Sequence, residues 1–132
     1  MEILIHTINK EKIAEIISDT PVIIETQDAL DLMGDFYSRG TNKIILLEKH
    51  LSPKFFDLKT KLAGEILQKF SNYNFKLAII GDFSKYKSKS LHDFILESNK
   101  GNRIFFLEKI EDALLKLTGN RTGNDKFSSQ RV

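Results

Sequence analysis

Lys43-Ile44-Ile45-Leu46-Leu47 is the stretch that decides the fold, because its four aliphatic residues run unbroken, without a polar alternation. A strand with one wet face alternates apolar and polar side chains. A short continuous run therefore suits a strand buried on both faces, as in a parallel sheet. Phe75 to Ile80, ended by Gly81, and Ile104 to Leu107 read as strands of the same sheet.

Helix-period segments separate these runs. From Thr26 to Ser38 the apolar residues Ala29, Leu32, Met33, Phe36 and Tyr37 fall on one helical face, and Gly40 is placed to stop it. Ser52-Pro53 reads as a helix start, with Ser52 as cap and Pro53 at the first helical position. Leu58, Leu62, Ile66 and Phe70 then repeat every four residues, with Ala63 and Leu67 widening the stripe. One bent helix fits this pattern, and so does a short turn followed by a longer helix. Leu91, Phe94 and Ile95 mark a third helix ended by Asn99-Lys100-Gly101, and Ile110, Ala113, Leu114 and Leu117 a fourth.

Toward the N-terminus, Ile3, Ile5 and Ile8 and then Ile13, Ala14, Ile16 and Ile17 flank the polar break Asn9-Lys10, which predicts a hairpin. Asp19-Thr20-Pro21 interrupts the pattern, and Val22-Ile23-Ile24 fits either an extended segment or a lead into the next helix. Beyond Gly119 the chain has one aromatic and no period, so residues 119–132 are expected to be a disordered tail. The order is ββαβαβαβα. It predicts one α/β domain over residues 1–118, with a mostly parallel five-stranded sheet entered by an antiparallel N-terminal hairpin and about four helices. If every crossover helix lies on one face, either self-association into a homo-oligomer or the fourth helix must cover the other.

Composition narrows the function classes. The 132 residues are 41% hydrophobic and 29% charged, the make-up of one ordinary domain. With 20 Lys and Arg against 18 Asp and Glu, the net charge of +2 argues against a nucleic-acid binder. Zero cysteines exclude disulfides, thiolate catalysis and sulfur-based zinc sites. With no basic-then-apolar leader and no apolar run near ~18 residues, the expectation is a cytoplasmic protein with no membrane partner.

In open α/β sheets ligands collect beyond the carboxyl ends of the parallel strands. Two loops there hold lysines: Lys54, Lys59 and Lys61 in or beside one, Lys85, Lys87 and Lys89 in the other. Brought together near helix N-termini they would form an anion site, whereas scattered they only solubilise loops. No GxGxxG, P-loop or GxSxG motif occurs, so no cofactor and no catalytic residue is assigned. His6, His50 and His92 are widely separated, which favours structural or solvated roles and gives no metal site; Glu48, His50 and Asp57 are the nearest approach to one. Asp57, Thr60 and Asp82 are placed to cap turns. Phe83 and Tyr86 fall in the lysine-rich loop, to stack on a ligand, anchor a partner or pin the loop to its own domain.

Gln27-Asp28-Ala29-Leu30-Asp31-Leu32, FDLKTKLAGEILQKF (56–70) and AIIGDFSKYKSKSLHDFILESNKGN (78–102) resemble a bacterial family catalogued as domain of unknown function 4180. That likeness spans roughly residues 1–118 and implies no catalytic residue. The family pattern has glycine where Lys61 stands. The order of elements also resembles the STAS fold of anti-sigma-factor antagonists, where a strand leads to an acidic, hydroxyl-bearing segment at a helix start that a partner kinase phosphorylates. The matching segment is Asp57-Leu58-Lys59-Thr60, without an adjacent Ser-Ser-Gly, and the resemblance implies Thr60 as phospho-acceptor.

Two functions follow. The first is a STAS-like regulatory module that binds a protein partner through Asp57, Lys59, Thr60, Lys61, Asp82, Phe83, Ser84, Lys85, Tyr86, Lys87 and Lys89, with Phe55 or Phe83 as anchors. The second is a protein or enzyme acting on a small anion or phosphorylated metabolite through the lysine-rich loops.

Overall fold

The computed structural model describes residues 1–119 and 127–132. The strands are β1 (Glu2–Ile8), β2 (Glu11–Ile17), β3 (Lys43–Leu47), β4 (Lys76–Ile80), β5 (Ile104–Leu107) and β6 (Phe127–Arg131). The helices are α1 (Thr26–Ser38), α2 (Leu62–Asn72), α3 (Lys89–Lys100) and α4 (Ile110–Leu117). One mixed sheet runs in the order β5-β4-β3-β2-β1-β6. β2 to β5 are parallel, and β1 is antiparallel to both β2 and β6. The predicted hairpin turns at Asn9 and Lys10, both at positive φ (50° and 74°), as a two-residue turn matched to strand twist requires.

The apolar runs divide by alternation. Ile44, Leu46, Leu77, Ile79, Ile104 and Phe106 face a core shared with α1, α2 and α3. Ile45, Ala78, Ile80 and Phe105 face a second core closed by Ala113, Leu114 and Leu117 of α4. Sequential strand order with crossovers of one hand puts three helices on the same face, so α4 folds across the other. Both faces of the central strands are thereby dry, which is why their sequence does not alternate.

Two expectations change. The sheet has six strands, not five, because residues 127–131 are not a loose tail but an edge strand, registered from Leu4↔Arg131 to Ile8↔Phe127. The hairpin leaves the outer backbone of β1 unpaired, and a polar segment can satisfy it by main-chain hydrogen bonds that need no apolar pattern. The rest of the expected tail, 120–126, lies outside the described residues. Ser52-Pro53 opens not the helix itself but a 3-10 turn, Pro53–Phe56, which with a second, Leu58–Thr60, precedes α2. Of the two readings of this segment, the chain thus adopts a short turned stretch followed by a longer helix. Ile23 forms an isolated parallel bridge with Leu51. Among the described residues no helix is long and apolar enough to cross a membrane.

A clamped rim at the ends of β3 and β4

On leaving β3 the chain makes a 3-10 turn over Glu48–His50. The buried His50 ring accepts from the Leu47 N–H at Nδ1 (2.9 Å), so its Nε2–H donates to the Ser18 carbonyl (3.0 Å). Burial, chiefly, and the neighbouring Lys49 hold its pKa below the ordinary value, against the hydrogen bond to Ser18. The His50 carbonyl accepts from Val22 N–H (2.8 Å) and Ile23 N–H (3.0 Å). His50 is thus a neutral pin tying the exit of β2 to the exit of β3.

Ser52 caps the following turn, accepting from Lys54 N–H, and Asp57 caps the next, accepting from Lys59 N–H (3.2 Å). The Thr60 hydroxyl lies 2.6 Å from the Lys54 carbonyl and 2.8 Å from the Asp57 carbonyl, and accepts from Leu62 N–H (3.3 Å). Lys61 then turns into α2 at φ 66°, in the left-handed region.

On leaving β4, Gly81 precedes a 3-10 turn over Phe83–Lys85. Asp82 Oδ1 accepts from Ser84 N–H (3.0 Å) and the Ser84 hydroxyl (2.6 Å), and these bonds hold its carboxyl below the usual range. Ser88 caps α3 by accepting from Leu91 N–H (3.2 Å), and His92 Nε2 donates to the Tyr86 carbonyl.

The two exits meet at Glu48. Its Oε2 accepts from the Tyr86 hydroxyl and lies 2.8 Å from Lys85 Nζ. Burial first, then the hydrogen bond to Glu48 and that residue's charge, push the Tyr86 phenol well above its ordinary value. The Tyr86 ring stacks on Phe56 at 5.1 Å, Phe83 stacks on the same ring at 6.0 Å, and Phe106 meets Phe83 edge-on at 5.4 Å. Pro21, Lys49, Leu51 and Pro53 complete a shallow cleft of about 310 Å³ around Glu48, Phe56, Lys85 and Tyr86.

The structure therefore joins the two predicted loops, but through aromatic rings and Glu48 rather than through a pool of lysines. Lys85 is spent on Glu48, and Lys89, in the first turn of α3, pairs with Asp93 at 2.9 Å. Asp57, Lys59, Thr60 and Lys61 form the exposed turn before α2, with Lys87 exposed beyond Tyr86. Phe55 and Phe83 are buried among the protein's own rings, so neither projects as a partner anchor. Tyr86 is the half-exposed aromatic of the loop. Glu48 was legible only as a neighbour of His50 by spacing; its partners come from the other loop. Among the described residues no three His, Asp or Glu side chains are grouped to hold a metal ion.

A six-stranded mixed sheet, helices on both faces and a polar-aromatic rim where β3 and β4 end define an α/β protein. The chain belongs to the family described as Domain of unknown function (DUF4180), whose model matches residues 8–117, from the end of β1 to the end of α4. No curated protein and no solved structure matches it.

Proposed function

We propose that this is a small regulatory protein-interaction module of STAS-like architecture that receives a carboxylate-bearing segment of a partner protein across the β3–β4 rim. The clamp of Tyr86 and Lys85 on Glu48 is the observation that supports this reading. It joins two loops into one platform before any partner arrives, so little ordering remains to be done on docking. The half-exposed Tyr86 ring and the Lys85 stem border a cleft that Lys49 also lines, and the exposed Lys54 and Lys87 follow its lining residues Pro53 and Tyr86 in the chain. An extended segment can lay an apolar side chain against the half-exposed Tyr86 ring while its carboxylates reach the outer lysines. A free phosphate-sized ion in the cleft would instead meet the Glu48 carboxylate, so the small-anion reading is the weaker one.

The resemblance to STAS domains adds a switch at Thr60. Phosphorylation would release its hydroxyl from the Lys54 and Asp57 carbonyls and add nearly two negative charges beside the lysines, weakening an acidic partner's hold. Affinity capture with wild type, with Lys49→Glu/Lys87→Glu and with Thr60→Glu tests both parts. Capture of the same partner should fall in both variants and fall with rising salt. Equal capture by the charge-reversed protein overturns the rim as the docking surface, and equal capture by Thr60→Glu removes the switch.

A further inference from the structure

On the sheet face that carries α4, but over its antiparallel half, three side chains from adjacent strands form a line. Glu15 Oε1 of β2 lies 2.7 Å from His6 Nε2 of β1, and His6 Nδ1 lies 2.7 Å from Ser129 Oγ of β6. The register sets this up, since His6 faces Ser129 directly and Glu15 sits diagonally across from His6, opposite Leu4. His6 is 6% exposed, while Ser129 is open to solvent.

A carboxylate only accepts, so Nε2 carries a hydrogen toward Glu15. In the neutral form of the ring Nδ1 then accepts from the Ser129 hydroxyl. A buried base, oriented by a carboxylate and bonded to an exposed hydroxyl, is the arrangement that activates a serine. Val132 N–H donates to the Ile3 carbonyl, so alternation along β6 turns the Ser129 N–H off the sheet edge, where a developing oxyanion can take it. Leu4 and Ile17, half-buried on the same face, offer apolar contact.

The geometry points to a second site: Ser129 as a nucleophile toward esters with a small apolar acyl group, with His6 as its base and Glu15 positioning His6. Ser129 Oγ attacks the carbonyl carbon as its proton passes to His6 Nδ1. The bond to the alkoxide breaks, the alkoxide leaves with that proton, and acyl-Ser129 is released by a water activated in the same way. The site is independent of the rim, and no residue is shared.

A fluorophosphonate probe tests it on the full chain. Attack by Ser129 forms an O–P bond and expels fluoride, and mass spectrometry should find one phosphonyl group, on Ser129, absent in Ser129→Ala. Glu15→Gln keeps the hydrogen-bonded shape but removes the charge; it and His6→Gln should each slow labelling about a hundredfold. Hydrogen exchange of the β6 amides, followed in parallel, should stay as in wild type for Glu15→Gln. No label, label elsewhere, unchanged rates in both variants, or losses that only track loss of β6 protection would each overturn the assignment.

Discussion

The Glu48 side chain fills the space in which a Cβ on Gly81 would stand: such an atom would come within 2.8 Å of Glu48 Oε1, 2.9 Å of Glu48 Cβ and 3.3 Å of Phe83 Cζ. Gly81 is thus required by a close approach between the exits of two neighbouring strands, not by a special backbone angle. The carboxylate oxygen can swing away from an intruder, but the Glu48 Cβ cannot.

Gly81→Ala should therefore cost about 1–3 kcal/mol, read from urea unfolding midpoints. Adding Glu48→Ala to it should recover only part of the loss, because the oxygen contact disappears while the Cβ contact remains.

Tyr86 should ionise above the ordinary phenol value of 10, seen as the part of the alkaline absorbance titration that Tyr86→Phe removes. Glu48→Gln should bring that component down, since a hydrogen bond to a carboxylate favours the protonated phenol. The folded state holds this proton where the unfolded chain has released it, so the stabilisation is present below pH 10 and is lost as pH rises through and above it.

His50 should make the fold acid-sensitive. Its folded pKa is lowered, so below the ordinary value of 6.5 the unfolded chain binds a proton that the native state refuses. The contribution is complete above pH 6.5 and declines as pH falls below it. Melting temperatures between pH 7.5 and pH 5 should drop more steeply in wild type than in His50→Gln, which starts lower because Leu47 N–H and the Ser18 carbonyl lose a well-placed partner.

Lys61→Gly should stabilise the protein by about 0.5–1 kcal/mol, because Lys61 occupies a left-handed conformation at φ 66° that glycine adopts without a Cβ penalty. Thermal unfolding of the two proteins checks this. Lys61→Ala, which keeps the Cβ, should show no such gain.

Much of the architecture was legible locally. Ile44 to Leu47 and Leu77 to Ile80 announced buried parallel strands, Asn9-Lys10 announced the hairpin turn, and Ser52 announced a cap, although of a 3-10 turn rather than of the expected helix. The length of the helix before Phe70 was not, since Leu58 keeps the four-residue spacing although Lys61 breaks the helix at its left-handed φ. Spacing reports which face a residue takes, not the backbone angle between two turns.

Of the rim, the sequence alone placed Phe83 and Tyr86 in one loop with Lys85, Lys87 and Lys89 and gave Asp57 and Asp82 their capping roles, because caps act within two or three residues. Glu48 with Tyr86 is 38 residues apart, and His6 with Ser129 is 123. Such pairs exist only after parallel neighbours and the β1–β6 ladder bring them together. Apolar periodicity determined the strands, the helices and their order; strand adjacency, set by backbone pairing between distant segments, decided which polar side chains meet.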